Sequence, residues 1–241
     1  MANLLVLCVE EIMRPIFSAF AGVVFALALP VAPVLASTCF GTPANGRIEN
    51  AVPLSDKGAN FAPYTKLGVL LGRTYVHATV RAIVEDAYEE LKHDLPKVTF
   101  VYGETGLSHG GPMPPHRTHK NGTSVDLMVP VRKLDGSPAL LPATPQNRFG
   151  YDLEFSTDGK LGDLHIDFNA ITAHLAQLEK QARNRGVRIA RVIFDPELTR
   201  RLSGTLQGKK LASLPFMKMK PWIRHDEHYH VDFAIDCRLL R

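Results

Sequence analysis

Apolar residues recur along this chain with two different periods, and the switches between them mark its elements. From Thr74 to Leu95, the residues Val76, Val80, Ile83, Val84, Ala87 and Leu91 form one stripe at helical spacing, and Pro96 ends it. Lys97 to Glu104 alternates instead, with Val98, Phe100 and Tyr102 on one face, which predicts a strand. Gly106 to Pro115 is rich in glycine and proline and reads as loop. Ser124 to Val129 is a second strand, followed by a long polar connection through Asp163. Phe168, Ile171, Leu175, Leu178 and Ala182 mark another helix, with Gly186 as its stop. Val187 to Phe194 is strand-like, Asp195-Pro196 opens a short helix as cap and first-turn proline, and a last strand runs from about His228 to Ile235. Without a strict βαβ alternation, the fold class is α+β: one domain, with a small, largely antiparallel sheet flanked by helices.

The start of the chain follows neither period. Ile16 to Leu35 is nearly all apolar, broken by Pro30 and Pro33, and Val34-Leu35-Ala36 supplies the small side chains of a signal-peptidase site. The expectation is a cleavable signal peptide over residues 1–36, export to the periplasm, and a mature domain over residues 37–241. Arg14 is the only basic residue before the apolar run, so Met13-Arg14-Pro15 makes a normal basic start and Met13 is the expected first residue. An uncleaved anchor is the weaker reading, because the prolines and Ala36 end the run early; no stable membrane span is expected after cleavage.

Composition adds two points. The leader takes Cys8, leaving Cys39 and Cys237 near the two ends of the mature chain, and in an oxidising compartment these read as one disulfide tying the termini. The net charge of +4 is mild and suits an anionic polymer. Lys209, Lys210, Lys218, Lys220 and Arg224 crowd the approach to the C-terminal histidines, but no nucleic-acid recognition motif accompanies them.

The chemistry lies in two stretches, His116 to Asp126 and His225 to His230, which hold five of the ten histidines. With a strand period of two, His228, His230 and Asp232 share one face of the last strand, and Ser124, Asp126 and Met128 one face of the earlier strand. The opposite faces are apolar and serve the core. His119 lies before an Asn121-Gly122 turn that can bring it back over Asp126, and His116 follows two prolines. Imidazole and carboxylate suit zinc, and three protein ligands with an open fourth position make a catalytic site. No His-Glu-x-x-His or Gly-x-Ser-x-Gly is present, which excludes a helical zincin and a serine hydrolase of the nucleophile-elbow type. His77, His93 and His174 fall on expected helices and read as structural; His165 reads as a surface residue rather than a second metal site, and His109 could line a groove.

His-x6-Asp paired with a late His-x-His resembles the LAS zinc peptidases, whose fold is hedgehog-like. The fuller pattern, His116-x-x-His119-x6-Asp126 with Pro221-Trp222-x-x-His225-x-x-His228-x-His230, resembles the penicillin-insensitive murein endopeptidases. Cys39-Phe40-Gly41 and Arg73-x-Tyr75 are similar as well. The resemblance implies a zinc metallopeptidase that binds Zn2+ through His119, Asp126 and His230, with His116 an additional or alternative ligand. It implies that His228 acts in catalysis with His225 near it, on D-alanyl–meso-diaminopimelyl cross-links of peptidoglycan. Imidazole titrates near neutrality, so His228 is the expected general base and His225 the expected stabiliser of the oxyanion. Glu227 is the rival base, which strand alternation would turn away from the metal. The alternatives are a D,D-carboxypeptidase or D-Ala-D-Ala dipeptidase of the same superfamily, or a murein-binding module stabilised by zinc without turnover.

Overall fold

The computed structural model describes residues 36–240. The expected signal peptide therefore lies almost wholly outside the described residues. A five-stranded sheet organises the rest, in the order Arg188–Ile193, His228–Ala234, Ser124–Met128, Phe100–Tyr102, Phe61–Pro63. Every pairing in it is antiparallel except the last. The fold is thus the mixed, non-alternating class that the periodicities indicate.

The register of the two central strands matters most. His230 stands directly opposite Asp126, His228 opposite Met128, and Asp232 opposite Ser124. On the other face Val125, Leu127, Tyr229, Val231 and Phe233 are buried and merge with the apolar stripes of two helices, Ala78–Asp94 and Phe168–Arg183. At roughly 1.5–3 kcal/mol per fully buried large side chain, that shared layer fixes the register. A one-residue slip would put the histidines into the core.

The helix that begins the first stripe is shorter than its pattern. Tyr75–Val76 is extended and pairs with Val52–Pro53, and helix begins only at Ala78, where His77 Nδ1 caps Thr79 N–H at 3.1 Å. Val76 is fully buried in the strand, so hydrophobic spacing alone continues the stripe across the boundary. The second helix ends as read, with Gly186 at φ +68°. Asp195 caps the Pro196–Leu202 helix through the N–H groups of Glu197 and Leu198. The connection between the two halves is not plain loop. Lys160–Leu161, Leu164–Ile166, Val131–Lys133 and Pro138–Ala139 pair into a second, four-stranded antiparallel sheet.

Cys39 and Cys237 are joined, 198 residues apart in sequence. The bridge is flanked by backbone bonds from Arg238 N–H to Cys39 O and from Gly41 N–H to Arg238 O. Among the described residues, no helix is long and apolar enough to cross a membrane.

Candidate metal centre

Asp126 is fully buried at the hub of four imidazoles. Its Oδ1 lies 2.8 Å from His230 Nδ1 and 3.1 Å from His119 Nε2. Its Oδ2 lies 3.6 Å from His116 Nδ1 and 3.7 Å from His228 Nε2. The turn at Gly122 brings the loop back as its sequence suggests. Gly122 sits at φ +75°, and a Cβ there would come within 2.5 Å of Ile48 Cδ1, so only glycine fits. His119 itself takes φ +68°, a conformation that side-chain-bearing residues adopt rarely and often at functional sites.

Each imidazole is oriented from behind. His119 Nδ1 donates to Thr105 O at 3.0 Å, which leaves a lone pair on Nε2. That atom is buried without an aligned hydrogen bond even though Asp126 Oδ1 is 3.1 Å away. Two acceptors facing each other at that distance, in a dry site, call for a cation between them. His230 Nε2 meets Asp232 Oδ1 at 2.8 Å, and Asp232 is held by Ser124 Oγ at 2.6 Å and by Arg191 Nε at 2.8 Å. Burial would lower the pKa of His230, but the charge of Asp232 and the bonds to both carboxylates raise it to about 10. Positive charge is therefore wanted at Nδ1, where Asp126 also points. His116 Nε2 contacts Glu104 Oε2 at 2.6 Å. Against burial, the bonds from His116 and Arg73 hold Glu104 ionised with a pKa of about 2. This contact leaves His116 Nδ1 facing Asp126. Carboxylate or carbonyl acceptors behind metal-binding histidines are the usual means of fixing tautomer and ring angle. His116, His119 and Asp126 place one donor atom each within 4.8 Å of one another. By chemistry and convergence, the donor set fits a divalent metal.

The C-terminal stretch supplies two more imidazoles. His228 is buried, with Nδ1 2.7 Å from Glu227 Oε1. His225 is half-buried, its ring 4.6 Å from that of His228, and its Nδ1 donates to Ile223 O at 2.9 Å. Burial lowers both, to about 4 for His228 and about 3 for His225, so both are neutral at neutral pH. Burial raises Glu227 to about 8. Glu227 also departs from the expectation that it points away. The regular strand starts only at His228, so alternation does not govern Glu227, and its side chain lines the same cavity as His225, His228 and His230.

Two contributors were not evident from the sequence. Tyr151, from the connection after the Ser124 strand, accepts from Glu104 N–H at 2.7 Å and reaches Asp126 Oδ2 at 3.2 Å. Gly103 makes room for it, since a Cβ there would lie 2.4 Å from the phenolic oxygen. A glycine and an acidic residue directly after a strand were the only local hints of this contact and of the Glu104 anchor.

Other histidines behave structurally. His174 is buried against Tyr88 and Phe100, its Nδ1 2.5 Å from Tyr229 Oη. His77 is a cap, His93 and His109 are exposed, and His165 belongs to no metal-capable group among the described residues.

The penicillin-insensitive murein endopeptidase family matches residues 39–238. The chain belongs to that family. The match runs from the first cysteine of the disulfide to one residue beyond the second, so this murein endopeptidase domain includes both bridged ends. No curated protein matches the chain.

Proposed function

We propose that this murein endopeptidase is an exported zinc enzyme that hydrolyses D-alanyl–meso-diaminopimelyl cross-links of peptidoglycan in the periplasm, after removal of residues 1–36. The observation that carries the metal reading is the lone pair of His119 Nε2, buried and unpartnered, facing a carboxylate that also meets His230. His119, Asp126 and His230 would hold the ion, with His116 beside them. When bound, zinc supplies a Lewis acid that polarises a carbonyl and brings the pKa of water to about 7.

The chain's own groups divide the remaining work. Asp232 and Thr105 O hold the tautomers of His230 and His119, and Glu104 that of His116. When Glu227 is ionised and accepts Nδ1–H, His228 presents Nε2 toward Asp126 as a proton acceptor, the general base of the reaction. His225 is assigned to the oxyanion: with Nδ1–H donating to Ile223 O, its Nε2 is the atom left to face the substrate, and it would donate there when the ring is protonated.

A cavity beside the centre is lined by His116, Tyr151, His225, His228, Trp222 and Arg117, among others. A second shares Pro115, Arg148 and Tyr151 with it and is lined further by Tyr64, Leu67, Leu71 and Phe149. Two adjoining cavities, one of them at the metal centre, give room for both arms of a cross-link, which suits cleavage within it better than trimming of a chain end. Digestion of purified peptidoglycan, with and without chelator, tests the proposal: cross-linked dimers should become monomers only when metal is present. Release of D-Ala or D-Ala-D-Ala would favour the trimming enzymes, and binding without products the non-catalytic module.

A further inference from the structure

Pro221-Trp222 recurs in the family-like pattern but has no part in the metal chemistry described so far. In the fold, Trp222 is largely exposed, at 56%, and its ring lies under the guanidinium of Arg117, 4.3 Å from the ring centroid. Arg117 comes from the first histidine stretch and Trp222 from the second. Their contact therefore joins the two stretches at the rim of the cavity that also holds His116, His228 and His230.

That cavity is cationic. Arg117, Arg148 and Arg191 line it against a single carboxylate, Glu227, which burial raises toward neutrality. Arg191 is committed to Asp232, and Arg148 faces Asp152 at 3.3 Å. Among the described residues, no acidic side chain pairs with Arg117. A guanidinium stacked on an aromatic ring loses little further entropy on binding, and its N–H edges stay available for a planar bidentate acceptor. Ile193 and Met217 give the same cavity an apolar wall for an aliphatic chain.

We infer that Arg117, held by Trp222, binds a carboxylate next to the scissile bond and selects for it. This rests on the peptidase reading above. A D-alanyl–diaminopimelyl bond leaves such a carboxylate on the diaminopimelyl carbon that bears the acylated nitrogen. Arg117 lines the same cavity as His116, His228 and His230, so a group it holds there sits in the space that opens onto the centre.

The test compares two cross-linked peptide dimers, one with that carboxylate free and one with it amidated. The wild-type enzyme should favour the free acid by ~10–100-fold in kcat/KM, the range of a charge-assisted hydrogen-bonded pair. Arg117→Ala should collapse that ratio toward one, mainly through KM for the free acid. Arg117→Lys, which keeps charge without the fork, should restore part of it, and Trp222→Ala should erode it. Zinc content should stay at the wild-type level in all three, which separates substrate selection from damage to the centre. Equal slowing of both dimers by Arg117→Ala, or no preference in the wild type, would overturn the assignment. If the wild type cleaves neither dimer, the peptidase reading fails on its own. Equilibrium binding of the two intact dimers then decides the role of Arg117, and equal affinities reject it.

Discussion

Asp126 shows what one residue can be asked to do when its surroundings are dry. Burial alone would raise its pKa, yet the imidazoles of His119, His228 and His230 hold it well below the ordinary carboxylate value. An ionised, buried hub without a cation would leave His119 Nε2 unpaired. Asp126→Ala should therefore lose the metal, read as zinc per chain after dialysis; full occupancy would reject the ligand set. His228→Ala should keep the zinc and lose about 10²–10⁴-fold in turnover, the usual contribution of a general base. Loss of zinc in that variant would make His228 a ligand, and unchanged turnover would pass the role to His225. Tyr151→Phe removes only the hydroxyl that steadies Asp126, and a weakening of zinc affinity by ~10–100-fold in a chelator competition is expected. The hub was legible in the sequence because strand alternation and a glycine turn define it. Tyr151 and Glu104 were not, since nothing in their spacing says that they return to the Asp126 strand. Glu227 was legible as a rival base but given the wrong direction by an alternation that starts only at His228.

At the scale of elements, the sequence was clearest where a period ran for several residues. The strands that carry Asp126 and His230, both long helices and the Asp195-Pro196 start were all visible, because one buried face repeats in each. The second sheet was invisible for the same reason: its strands have two or three residues, too few for any alternation, and it was read as polar connection. Its place in the fold still matters, since Tyr151 lies on the chain between its strands. The Pro196–Leu202 helix is tied to the site as well. Asp195 caps it by side chain while its own N–H donates to His225 O at 2.8 Å. Asp195→Ala removes only the side-chain cap. A loss of about 1 kcal/mol in denaturant unfolding is expected, with zinc content unchanged. A change in zinc content instead would mean that the cap also holds the His225 turn in place.

For the molecule as a whole, two features set stability without touching the metal centre. His174 is buried among aromatic rings, and burial lowers its pKa to about 3. The unfolded chain, with an ordinary histidine pKa near 6.5, binds the proton first as pH falls. Stability from this group is thus complete above about pH 6.5 and lost toward pH 3, by up to ~1.4 kcal/mol per pH unit. Unfolding measured between pH 7 and pH 4 should show that slope, and His174→Phe should flatten it. The disulfide acts through the other state. It joins Cys39 to Cys237 across 198 residues, and the loop-entropy argument gives such a closure about 5 kcal/mol as its ceiling. The side chains that surround Asp126 come from residues between those cysteines and are packed by the central sheet, so the bridge limits the unfolded chain rather than shaping the site. A Cys39→Ser/Cys237→Ser double variant should unfold at lower denaturant concentration, by no more than that ceiling, while binding zinc and cleaving dimers at the wild-type rate. If zinc or turnover falls along with stability, the strand ends near Arg238 and Gly41 position the site as well, and the separation argued here between staple and centre does not hold.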